Sequence, residues 1–575
     1  MKKLLKYMSE YKRETFLGPL FKLLEALFEL AVPLVVAHII DYSIEAEDKK
    51  SIGLFAGVLV LLGIVGFIFS VTAQFFASRV SVGFCANIRN VLFSHVQKLS
   101  FSQLDKVGIS TLLTRMTSDI NQVQTGVNLT LRLLLRSPFV IFGAAVMAYF
   151  VSASFTPIYL AVIGVLSVVV LVIMLITVPL HKSVQTKLDA LTLISKENLS
   201  GVRVIRAFGR EENEVSDFNE KNREFIVTQK KMGRFSALTG PITQAVVNVG
   251  IILLVYKGAL SVNAGVLTQG ALIALYNYMT QILVELIKLA NLIVSISKAL
   301  TCATRISDVL DIVPENTQGD KEISQDSVIV EFKNVSFTYP DASEKSLKDI
   351  SFSVQSGQTV GILGGTGDGK TTLVNLIARF YPATSGEVLI NGENVNNFAP
   401  SSLRENVGFV FQKAKLFSGT VRDNVAMGCE SVTDEDVETA LKLSQSYDFV
   451  MEKDGGINAV VLQGGKNFSG GQKQRLTIAR ALAKKPKILV LDDASSALDY
   501  LTESHLKKAL STLSFSPALF IVSQRASSVM WADLIVVLND GEMVGCGKHD
   551  ELLETCQVYR EIYESQFGRE GEDEE

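Results

Sequence analysis

At 575 residues the chain is too long for a single domain, and two or three are expected. Hydrophobic residues make up 48%, the mean hydropathy of +0.30 is high for a soluble protein, and the apolar excess sits mostly in the first 300 residues. A net charge of −4 with no basic domain set apart excludes a nucleic-acid partner, and Cys85, Cys302, Cys429, Cys546 and Cys556 lack the spacing of a disulfide framework or zinc site.

The chain opens Met-Lys-Lys-Leu-Leu-Lys-Tyr, with neither the apolar core nor the small-residue cleavage site of a signal peptide. It reads as a basic amphipathic stretch on the inner membrane face. Six apolar spans follow, over 17–40, 52–76, 129–151, 158–180, 243–260 and 272–296. Each is close to the ~20 residues that cross a bilayer as a helix. One such run is compatible with a buried core helix; six predict a polytopic α-helical domain in the cell membrane. Five Lys or Arg up to Arg13 and eleven between Lys182 and Arg234, against none over 152–157, put both termini and the long connections in the cytoplasm.

Those connections, about 78–127 and 181–238, are rich in helix formers and lack Pro. They are expected to extend the membrane helices into the cytoplasm and to reverse near short helices at 101–107 and 202–211. The reversals either meet the second domain or stand as solvated hairpins. Charge inside a span is costly. Glu25 and Glu29 on one face of the first span, with Asn277 and Gln281 in the sixth, are read as lining a water-filled pathway. Arg132 and Arg136 are read as helix-to-helix pairing or as lying at the cytoplasmic membrane surface, and Glu285 also lies in the sixth span.

The expected division is a membrane domain over 1–300, a polar linker over 301–327, an α/β P-loop nucleotide-binding domain over 328–567 and an acidic, disordered tail over 568–575. The centre of the α/β domain is Gly364-Gly365-Thr366-Gly367-Asp368-Gly369-Lys370-Thr371-Thr372. Its frame G-x-x-x-x-G-K-[ST] follows a β-rich run at 358–363 and precedes an apolar helical run at 373–379, the context this motif requires. Glycines let backbone N–H groups wrap a phosphate at a helix N-terminus. Lys370 is expected to reach the β- and γ-phosphates of ATP, and Thr371 to ligate Mg²⁺. A buried strand over 487–492 ends in Asp492, a second Mg²⁺ ligand. Ser469 is a natural N-cap for the helix after Gly470-Gly471-Gln472, whose glycines expose N–H groups to an anion.

The phosphate loop, Gln412 after a strand, Ser469-Gly-Gly-Gln472, the strand to Asp492 and the turn Ser496-Ala-Leu-Asp499 occur in one fixed order. They resemble the Walker A, Q-loop, signature, Walker B and D-loop of ATP-binding cassette transporters. With six preceding spans, the chain looks like one half-transporter of the exporter type. The resemblance implies that two cassettes sandwich two ATP molecules, each between the phosphate loop of one chain and the signature of the other. It implies that Tyr339 stacks on adenine, that Gln412 senses Mg²⁺ and the γ-phosphate, and that Asp499 communicates across the interface.

Two residues depart from the pattern. Where a hydrolytic cassette carries a Glu that polarises water, this chain has Asp493, whose carboxylate sits back by about an ångström, a displacement costing on the order of a hundredfold in rate. Where exporters carry a switch His, it has Gln524, which hydrogen-bonds but cannot take up a proton. The resemblance with these departures implies a heterodimeric exporter of amphipathic drugs or lipids. In it this chain holds a degenerate site and lends an intact signature to a second, non-identical half-transporter. A homodimeric exporter is the alternative. An ATP-gated channel or regulatory subunit lacks support, because no long regulatory insertion separates spans from cassette.

Overall fold

The computed structural model describes residues 3–314, 319, 321–323, 329–340, 342–429 and 431–568. Part of the expected linker, including Glu315, Asn316 and Asp320, and the acidic residues beyond Gly568 lie outside the described residues. Two compact units divide the chain: 1–95 with 110–312, and 96–109 with 313–575.

The first unit is all helical. Its six helices long and apolar enough to cross a membrane are Leu4–Ile44, Lys49–Val96, Ile109–Val151, Ala153–Ala207, Glu211–Asn263 and Gln269–Leu310. Each exceeds the ~20 residues a bilayer needs, so the excess forms the expected extensions. The second reversal is not a short helix over 202–211. The fourth helix runs unbroken to Ala207, and Gly209 at φ +61° turns the chain into Glu211, the first residue of the fifth. The Arg210 N–H donates to the Ile205 carbonyl and the Gly209 N–H to the Arg206 carbonyl, which is a Schellman ending made possible by glycine. The last helix continues to Leu310, so 301–310 are helix and not linker: Ala303, Ile306 and Val309 recur at helical spacing and are buried.

Buried charges in this unit are paired. Arg136 donates to Glu285 at 2.5 Å and to Glu29 at 2.5 Å, and Ser137 donates to the other Glu285 oxygen at 2.8 Å. Lys22 pairs with Glu25. The pairing expected of Arg136 is therefore present. Glu25 and Glu29, expected to line a water-filled pathway, each pair with a cation, and the Glu29 side chain stays 40% exposed.

The second unit carries a ten-stranded mixed sheet. At one edge, antiparallel strands Val330–Phe337, Leu347–Val354 and Ser385–Ile390 pair in sequence-distant order. The other half is parallel, in the order Leu534–Asn539, Thr359–Leu363, Ala518–Ser523, Ile488–Asp492, Val407–Val410. The strands Thr359–Leu363 and Ile488–Asp492 are buried along their whole length, as continuous apolar runs in a covered parallel sheet require. The segment 96–109 belongs to this unit. Its helix Phe101–Val107 forms as expected, opened by a Ser100–Gln103 capping box. Phe101 packs on Phe380 with ring centroids 4.6 Å apart, and Tyr381 donates to Asp105 at 2.5 Å. Of the two readings of this reversal, contact with the second domain is the one the structure bears out.

Candidate nucleotide site

The site lies at the carboxyl ends of the parallel strands, where open α/β sheets bind ligands. Thr359–Leu363 leads into the phosphate loop, Ile488–Asp492 ends on Asp492 with Asp493 next, Ala518–Ser523 leads to Gln524, and Val407–Val410 leads to Gln412. The strands run in register, with Ser523 opposite Leu363 and Val522 opposite Asp492, so these loops emerge side by side. Tyr339, Thr366, Gly367, Gly369, Lys370, Thr371, Thr372, Gln412, Asp492, Asp493 and Gln524 line one cavity of about 250 Å³.

The phosphate loop closes on Gly369, at φ +89°, where a Cβ would lie 2.5 Å from the Ser346 carbonyl oxygen. Only glycine fits there, and Lys370 begins the helix Lys370–Ile377 directly after it. The Lys370 ammonium donates to the carbonyls of Gly364, at 2.9 Å, and Gly365. Asp368 folds back to accept from the Gly365 N–H at 2.5 Å. Burial draws the Lys370 pKa below the usual lysine value, against the pull of Asp368, Asp493 and Asp492.

Thr371 donates its hydroxyl to both carboxylate oxygens of Asp492, at 2.8 and 3.0 Å. A hydroxyl and a carboxylate this close, with the Gln412 amide in the same cavity, are the hard oxygen donors Mg²⁺ takes, and the residues fit that ion. Burial raises the Asp492 pKa and neighbouring Asp493 raises it further, while Thr371 and Lys370 oppose the shift. A carboxylate held against its charged form in this way is stabilised when a cation arrives.

Asp493 adopts φ +48°, a left-handed conformation that Asp tolerates better than most side chains. Its N–H donates to the Val522 carbonyl at 3.0 Å, and its carboxylate accepts from Gln412 Nε2 at 3.2 Å. Gln524 Oε1 accepts from the Thr366 hydroxyl at 3.2 Å, so a neutral amide links the switch position to the phosphate loop. Tyr339 lies just past its strand, which ends at Phe337. Its ring meets Tyr381 edge-on and its hydroxyl lies 3.1 Å from Thr372 Oγ1.

Ser469, Gly470, Gly471, Gln472 and Asp499 do not line this cavity. Ser469 caps the helix Gly470–Ala483 in a reciprocal box: its Oγ accepts from the Gln472 N–H at 3.3 Å, and Gln472 Oε1 accepts from the Ser469 N–H at 3.0 Å. Asp499 caps Tyr500–Leu510 by accepting from the Thr502 N–H and hydroxyl. The sequence reading missed Ser346, which lines the cavity, and buried Gln474, which donates to the Phe411 carbonyl at 3.3 Å beside Gln412. Neither stands in a spacing that marks it.

Residues 15–286 match the family profile described as ABC transporter transmembrane region, and 347–496 match that described as ABC transporter. The chain is 35% identical to the "Uncharacterized ABC transporter ATP-binding protein YfiB" of Bacillus subtilis (strain 168), covering 99% of both chains. It is 30% identical to the "ATP-dependent lipid A-core flippase" of Escherichia coli O6:K15:H31, covering 89% of this chain and 88% of that one. Its fold matches a bacterial Atm1-family ABC exporter solved with ATP bound, at 23% identity and a TM-score of 0.82, covering 97% of this chain and 99% of the other.

Proposed function

Because the chain belongs to the ABC transporter family, and as a multi-pass exporter half couples ATP hydrolysis to transport across the plasma membrane, we propose that it works with a second, non-identical half. In that pair its own phosphate loop binds Mg²⁺ and ATP at a degenerate site, while Ser469–Gln472 serve the partner's competent one. The observation that carries this reading is the pairing of Asp493 and Gln524 on one cavity wall with an intact, exposed capping box at Ser469.

The need for a partner has separate support. Between 178 and 242, across the cytoplasmic halves of the fourth and fifth helices, no residue is buried, and Leu199, Val204 and Phe208 stand exposed. Tyr500 and Leu501, next to Asp499, are 82% and 69% exposed. Apolar side chains left in water in this way suit a protein interface. A homodimer is the second reading, favoured by the carboxylate that Asp493 still presents beside Gln412.

The two readings separate in one assay. The lone chain reconstituted in lipid is expected to hydrolyse ATP near background, and brisk turnover would overturn the unequal pair. Amphipathic drugs or lipids are the proposed cargo, in keeping with the flippase relative and with spans in which Lys22 pairs with Glu25 and Arg136 with Glu29 and Glu285. Transport of a panel of fluorescent amphiphiles by the co-expressed pair tests this, and uptake restricted to hydrophilic solutes would refute it.

A further inference from the structure

We infer that Gln566, in the C-terminal helix Gln557–Phe567, is a positioning residue that sets the switch loop against the phosphate loop. Its amide grips the loop on both sides of the turn. Gln566 Nε2 donates to the Gln524 carbonyl at 2.8 Å, and Gln566 Oε1 accepts from the Ala526 N–H at 2.8 Å. The two bonds together fix which end of the amide is oxygen, because only this orientation satisfies a carbonyl and an N–H at once.

The grip is anchored at both ends. Seven residues earlier on the same helix face, Tyr559 is fully buried, and its hydroxyl lies 2.6 Å from His549 Nδ1. Within the loop, the Arg525 N–H donates to the hydroxyl of buried Ser523, the last residue of its strand. The Gln524 carbonyl and the N–H groups of Arg525 and Ala526 are therefore each held by a side chain. The Gln524 side chain in turn accepts from Thr366 in the phosphate loop. An exposed residue at the end of the chain is linked to the nucleotide cavity through one amino acid. The inference rests on the reading of Gln524 as the γ-phosphate switch and extends it to the C-terminal helix.

Two variants separate the contacts. Gln566→Leu removes both hydrogen bonds, whereas Gln566→Glu keeps the acceptor for Ala526 but sets a carboxylate against the Gln524 carbonyl. With the full chain in lipid nanodiscs, Mg-ATP and Mg-ADP are titrated into wild type, both variants and Gln524→Ala. Both Gln566 variants are expected to lower the ATP-over-ADP affinity ratio roughly fivefold, with ADP affinity unchanged. Exchange of the Ala526 amide proton is expected to quicken roughly tenfold in Gln566→Leu and to stay slow in Gln566→Glu. A wild-type ratio in Gln566→Leu beside a reduced one in Gln524→Ala would overturn the clamp alone. A wild-type ratio in Gln524→Ala would overturn the switch reading and the clamp with it. Should Gln566→Leu fail to fold, Gln566→Glu still decides on the ratio, and fast exchange at Ala526 in the wild type would refute the inference.

Discussion

The two walls of the nucleotide cavity offer different chemistry. On the phosphate-loop side stand an ammonium, a hydroxyl and a buried carboxylate, from Lys370, Thr371 and Asp492, all charged or hard donors of the kind that suit a polyphosphate and its metal. On the other side stand two neutral amides and a shortened carboxylate, from Gln412, Gln524 and Asp493. In the proposed reading the first group binds, and the second would have to orient water and respond to the γ-phosphate. Binding depends on summed charge and tolerates small displacements, whereas orientation is lost within about an ångström. A site can therefore keep its affinity while its hydrolytic wall decays, provided that turnover is supplied elsewhere.

The largest effect is expected on the binding wall. Lys370→Ala removes the buried cation, and Mg-ATP affinity of the full chain should fall about hundredfold or more, from charge-assisted bonds of ~3 kcal/mol. Retention of wild-type affinity in a direct titration would mean that the phosphates are held elsewhere. The next effect concerns the helix start that stands apart from this cavity. Ser469→Phe should lower turnover of the assembled transporter about thirtyfold, from a transition-state contact of ~2 kcal/mol, while ATP binding at the chain's own loop is unchanged. A loss of own-loop binding without loss of turnover would reverse the assignment of the two motifs.

What could be read from residue order alone follows the range of each interaction. The phosphate loop, Asp492 and the Ser469 cap were legible because a loop, strand end or cap is set within a few residues; their strands formed within a residue of the expected bounds, and their helices begin three residues earlier than expected. The turn at Gly209 was local as well. Its left-handed glycine ends a helix, whereas the helix formers on either side of it suggest a short helix across the turn. The partners of Arg136 were out of reach for a different reason. Its two carboxylates come from helices more than a hundred residues away on either side, and nothing in the spacing of Glu29 or Glu285 points to it. Ser346, Gln474 and Gln566 belong to the same class, in which ordinary polar residues gain a role only from what the fold brings near them.

A third effect tests the metal-binding part of the first wall through pH. Burial raises the Asp492 pKa above the ordinary 3.8, so its proton competes with a cation over a window lying above the usual Asp range. Mg²⁺-dependent ATP affinity should hold on the alkaline side and weaken as pH falls through the raised value, by up to about tenfold per unit below it. Asp492→Asn should flatten that profile. A profile equally steep in the variant would assign the titration to another group.

The smallest expected effect is the most informative, because it is measured where hydrolysis would normally be most sensitive. Asp493→Ala removes the only carboxylate of the second wall and frees the Gln412 amide. If turnover of the assembled transporter comes from the partner's site, the loss should be under about threefold, reflecting only a disturbed Gln412. If this carboxylate positions the attacking water, the loss should instead approach the hundredfold that misplacing such a group costs. The left-handed backbone complicates neither outcome for the rate ratio. Alanine at φ +48° carries a strain of ~1 kcal/mol, and a melting curve measured beside the rates separates that strain from a change in chemistry.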